Sequence, residues 1–135
     1  MINRFVFVLA VLGFTLGVTA DPAETIQLDK APPAVQAAVK KAIGEGKLES
    51  LKKEVEDGKT VYEAEFEIDH LDRSVKLSEG GQVLEEEKEL LEKDIPANIL
   101  QAIKAKYADA KINDASEVKA GGKTTYEICI DVAKV

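Results

Sequence analysis

Glu63, Glu65, Glu67 and Asp69 occupy alternate positions and run into the only histidine of the chain, His70, with Asp72 just beyond. Carboxylates beside an imidazole could chelate a divalent cation or exchange protons with a substrate. Alternate residues of a strand stand ~6.5–7 Å apart, however, which is wide for one cation whose oxygen ligands lie about 2.3–2.6 Å away. Proton transfer also requires an oriented partner, and the residues around His70 supply none by spacing alone. The row Glu63, Glu65, Glu67 therefore reads as the wet face of a strand, with Asp69-His70 as a polar turn and no metal site. Glu127, at the matching place further along, joins the three as a candidate binding surface. A small metal-handling protein or enzyme built on Asp69, His70 and Asp72 is the alternative reading.

Cys129 is the only cysteine. A catalytic thiol needs cations or a helix N-terminus beside it, and here the same strand face offers Glu127 and Asp131 instead. It reads as inert or as a route to an intermolecular disulfide. No nucleophile motif, glycine-rich phosphate cradle or cysteine-histidine cluster occurs, so the chain is expected to be no enzyme and to need no cofactor.

The elements that carry these residues occur twice. Residues 32–68 overlie residues 96–132 at a constant offset of 64 without a gap, matching Pro32 with Pro96, Gly58 with Gly122, Tyr62 with Tyr126 and Glu63 with Glu127. Such a period fixes architecture before any single motif does. Val35, Ala38, Val39, Ala42 and Ile43 form the apolar stripe of a helix over 33–43, and Ile99, Ala102, Ile103 and Tyr107 one over 97–107. Tyr62, Ala64, Phe66 and Ile68 alternate with the acids, as Tyr126, Ile128, Ile130 and Val132 do in the second copy, giving strands 60–68 and 124–132 with one buried face each. Asp57-Gly58 and Gly121-Gly122 supply the tight turns that pair them with preceding strands. Residues 73–78 and 82–88 add two strands to the first copy only, and the second unit ends without them. The predicted fold is α+β, a tandem helix-plus-antiparallel-meander repeat with the helices packed on one face of an antiparallel sheet. One margin of the shortened second unit is expected either to pair with residues 25–28 or to stay open for a partner strand.

Residues 1–20 carry one charge, Arg4, then an apolar run over 5–18 and Val18-Thr19-Ala20. This is the pattern of a secretory signal cut after Ala20, its run being short for a bilayer span; an uncleaved anchor is the competing reading. The single domain then comprises residues 21–135, with repeats over about 25–90 and 91–135, and retains no membrane segment once cut. It keeps 17 basic and 25 acidic residues, net −8, which opposes nucleic acid and anionic lipid. One cysteine cannot close a disulfide within the chain, so stability must come from the core.

The proline-led short helix, DGKTVYEAEFEID over 57–69, GGQVLEEE over 80–87 and their tandem use resemble the PepSY-like, or β-lactamase-inhibitor-like, family of secreted bacterial proteins. That resemblance implies a periplasmic or secreted binding or inhibitory module, whose inhibitor relatives grip enzymes with the concave face of the sheet. The chain departs in its early end and in lacking an aromatic-rich face and disulfides, so inhibition of β-lactamase itself is not implied. The expected partner is a basic protein of the cell envelope docking on Glu63, Glu65, Glu67 and Glu127, with a homodimer through an open sheet edge or Cys129 as a second expectation.

Overall fold

A computed structural model describes the backbone of residues 3–8 and the whole of residues 22–132. The expected cleavage point at Ala20 lies outside the described residues. Apolar alternation marks β4 (Lys59–Ile68) and β8 (Lys123–Val132), and antiparallel pairing completes the long strands with β3 (Lys47–Glu56), β5 (Leu71–Ser78), β6 (Val83–Glu89) and β7 (Lys111–Ala120). Two further strands flank them, β1 (Asn3–Val8) and β2 (Glu24–Thr25), and the sheet runs β1-β8-β7-β6-β5-β4-β3-β2, antiparallel throughout. The β3–β4, β4–β5 and β7–β8 hairpins turn on pairs with positive φ at both residues, Asp57-Gly58, Asp69-His70 and Gly121-Gly122. Such turns match the right-handed strand twist.

Helix α1 (Pro33–Ile43) follows a turn of 3-10 helix at Leu28–Lys30, and α2 (Ala97–Lys106) one at Glu92–Asp94. Proline precedes each helix, where a missing N–H costs nothing. α1 buries Val35, Val39 and Ile43 against Leu51, Tyr62, Ala64, Phe66, Val75 and Leu77. α2 lies more loosely. None of its residues is fully buried, and Ile99, Ile103 and Tyr107 are half-buried beside a second cluster of Ile95, Ala115, Ile128 and Ile130. Ala102, placed in the apolar stripe by its spacing, is exposed. No helix among the described residues is long and apolar enough to cross a membrane.

The mixed α+β class and the antiparallel sheet stand as expected, but the helices do not cover their whole side of it. The ladder sets Glu86 between Val75 and Lys119, and Lys88 between Arg73 and Glu117, all on the helix side. Glu86, Lys88 and Lys119 are exposed there, so a charged seam separates the two apolar clusters.

The margins also differ from expectation. Thr25 pairs with Lys52 of β3, at the far end of the sheet from β8, because the chain between β2 and α1 is too short to leave the side of the sheet that α1 covers. The margin at β8 carries β1, which comes from the segment read as a secretion signal.

Candidate functional site

The face opposite the helices begins, at the β3 side, as an ion-pair lattice. Lys52 Nζ donates to Glu65 Oε1 at 2.6 Å and Ser50 Oγ donates to Glu65 Oε2, also at 2.6 Å. Lys76 Nζ lies 2.6 Å from Glu56 and 3.5 Å from Glu54. The bond from Lys52, then that from Ser50, hold the Glu65 carboxyl below its ordinary range, and the same bond to Glu65 raises Lys52. Burial pushes Glu63 the other way, above the ordinary range, despite the pull of Lys76. Burial opposes the charge on Lys76 too, but its hydrogen bond to Glu56 and the surrounding carboxylates outweigh it and raise the ammonium. Glu65 is thus a paired carboxylate, which corrects the expectation of an unpaired, wet side chain; the pairing arises across strands, where sequence spacing is silent.

Glu127 is exposed on β8, and three strands separate it from β4. At about 4.8 Å per strand that is roughly 19 Å, so the four expected binding residues do not form one cluster.

Unbalanced acid collects instead around the middle of the sheet. A depression of about 410 Å³ is lined by Glu49, Glu63, Glu65, Asp72, Glu87, Glu89 and Asp114, with Ser74 and Ser116; Arg73, which the ladder sets on the helix side, is the only basic residue of the lining among the described residues. Glu89 Oε2 accepts a hydrogen bond from the Asp72 N–H at 2.8 Å. At its β3–β5 corner, carboxylate oxygens of Glu49, Glu67 and Asp72 lie within 4.8 Å of one another. The ladder makes this: Asp72 is the cross-strand neighbour of Glu67, and an irregularity between Leu48 and Ser50 brings Glu49 alongside. Of the expected site residues, Glu63 and Glu65 line the depression, Glu67 stands at its corner and Glu127 lies away from it. Glu49, Glu87, Glu89 and Asp114 are not among the expected site residues; the acid-rich stretch over 85–89 is the one sequence signal that points to any of them.

His70 projects from the β4–β5 turn with its side chain 96% exposed and Nδ1 3.5 Å from Glu67 Oε1. That is the polar turn expected of it. Cys129 is half-buried, set between Val6 and Asp114 in the ladder. On the helix side, Tyr126 donates to Glu117 Oε2 at 3.2 Å, and burial, then that bond, raises the phenol. Beside it a mainly apolar groove of about 530 Å³ runs between α2 and β8, lined by Ile99, Ile103, Tyr107, Tyr126, Ile128 and Ile130.

This arrangement of sheet and helices has solved counterparts. A DUF2874 family protein from Bacteroides uniformis superposes with a TM-score of 0.60 at 19% identity, over 78% of this chain and 75% of that one. A BLIP-like protein from Bacteroides fragilis gives 0.54 at 21% identity, over 77% and 72%. The chain shares their α+β fold. A candidate periplasmic protein from Bacteroides eggerthii matches similarly, with 0.58 at 20% identity over 77% and 73%. No family model and no curated protein matches the sequence. The likeness is one of fold.

Proposed function

We propose that the chain is a non-enzymatic protein-binding module of the bacterial envelope, of the PepSY-like type, that receives a basic segment of its partner in the acidic depression. The observation that carries this is the charge balance of the depression, seven carboxylates of which Glu65 is paired with Lys52, while Arg73, the one basic lining residue among those described, is set by the ladder on the helix side. Such a surface speeds and orients the approach of a cation, while affinity comes from a few buried contacts. The signal-like residues 1–20 and the fold shared with a BLIP-like protein and a candidate periplasmic protein support an envelope location. The tandem reading belongs to the same proposal, α1 to β4 and α2 to β8 being copies of one unit; β3 and β4 begin 64 residues before β7 and β8. The test is capture from envelope extract by the wild type and by a Glu87→Lys, Asp114→Lys double variant. The reading expects a basic protein that the wild type retains, that salt releases and that the variant fails to hold. Equal capture by both would refute it.

The corner formed by Glu49, Glu67 and Asp72 favours a second reading, calcium binding. Two oxygens on opposite sides of one calcium ion stand about 5 Å apart, so a group within 4.8 Å fits where an along-strand row does not. Calorimetric titration with Ca²⁺ should then give a binding isotherm that Glu67→Gln with Asp72→Asn abolishes; an isotherm unchanged by those substitutions, or none at all, rejects this reading.

A further inference from the structure

The outer edge of β8 is occupied by β1. β1 pairs along it antiparallel, setting Arg4 against Asp131, Phe5 against Ile130, Cys129 against Val6 and Phe7 against Ile128. Ile128 and Ile130 belong to the row that faces α2, and the groove of about 530 Å³ opens beside them. Asp131 contributes a buried Oδ1 that has no hydrogen-bond partner among the described residues. An edge strand offers a row of N–H and C=O groups to any extended segment, and alternate side chains of that segment then share one face. Cleavage after Ala20 would remove β1 and bare this edge.

We propose that the bared edge takes up, in trans, an extended segment of another protein with a basic residue followed by apolar residues at the next position and two further on. The basic residue falls opposite Asp131, and the two apolar ones fall opposite Ile130 and Ile128, above the α2 groove. Arg4, Phe5 and Phe7 of β1 occupy the register this pattern requires. A second copy of this acidic chain suits the edge less well. A two-fold pairing centred on Cys129 sets Glu127 opposite Asp131 on both sides of the axis, and like charges directly opposed destabilise a ladder. This site lies at the edge of the sheet and is separate from the acidic depression at its middle, although Asp131 shares the depression's face.

The mature chain, residues 21–135, is the protein to test; both apolar clusters and the residues packed on them lie within residues 26–132, so it keeps its cores. A blocked peptide spanning residues 2–9 is added and amide hydrogen exchange is followed residue by residue. At a tenfold excess over its dissociation constant the peptide should slow the outward amides of β8 by about tenfold and leave β3 unchanged. Asp131→Lys should weaken that peptide by about tenfold and strengthen one carrying Glu in place of Arg4. Methylation of alternate peptide nitrogens should abolish protection. Protection confined to the acidic depression, or none on β8, overturns the proposal. So does protection of β8 without peptide in a species that dissociates on dilution, which would assign the edge to a second copy.

Discussion

Lys52 stands opposite Glu63 in the β3–β4 ladder but gives its hydrogen bond diagonally to Glu65, at 2.6 Å. Glu65 thereby gains a cation in addition to Ser50, while Glu63 keeps its burial without a side-chain hydrogen bond among the described residues. Two acids two residues apart on one strand are driven in opposite directions.

The folded carboxyl of Glu65 is held below its reference value of 4.5, so the stability it contributes is fully present above that value and is lost as pH falls through the lower, folded one. Glu65→Gln should cost about 0.5–1 kcal/mol at pH 7, the scale of a partly exposed pair. Urea melts at pH 7 and pH 3 should show that difference shrinking in acid.

Glu63 has the opposite sign. Its folded carboxyl lies above 4.5, so the folded state disfavours the charge, and the penalty is complete above the folded value and relieved as pH falls. Glu63→Gln should therefore raise the melting temperature at pH 7 and leave it nearly unchanged at pH 3. A lower melting temperature at pH 7 would show that the attraction of Lys76 and Lys52 outweighs burial.

Phe66 is 4% exposed in the cluster under α1, and Ile130 is 1% exposed in the cluster near α2. Phe66→Ala should cost about 3–5 kcal/mol by denaturant unfolding. Ile130→Val should cost about 0.5–1.5 kcal/mol. Because the charged seam separates the clusters, the double variant should equal the sum within about 0.5 kcal/mol; a larger departure means that the two cores are coupled.

Gly81 has φ +79°, and a Cβ there would stand 2.6 Å from the Ala34 carbonyl oxygen, whereas at Gly122, with φ +75°, it would meet nothing within 4 Å. Gly122→Ala should lose only the backbone term, about 1–2 kcal/mol. Gly81→Ala should lose a further 1–3 kcal/mol or so from overpacking against the start of α1. Thermal melts of the two variants compare them directly.

Secreted material should begin at Asp21. Intact-mass measurement checks this, and a mass that retains residues 1–20 would favour the anchored reading and leave β1 in place on β8.

Local pattern was enough for the two helices, for β4 and β8 and for the turns that lead into them. Apolar stripes set α1 at 33–43 and α2 to within one residue, strict alternation set β4 and β8, and Asp57-Gly58 and Gly121-Gly122 marked their turns. These depend on neighbours a few residues apart, which is the range over which side-chain period and turn chemistry act. Which acids meet was decided by the tertiary structure. Glu49, Glu67 and Asp72 converge only because β3, β4 and β5 align in one register with an irregularity beside Glu49, and Lys52 reaches Glu65 only across that ladder. The seam of Glu86, Lys88 and Lys119 on the helix side, and the placing of β2 beside β3 and β1 beside β8, likewise follow from strand order. Register and order are properties of pairing between distant segments, fixed by burial of the two apolar clusters and by turn geometry together, so no reading along a single strand could have contained them.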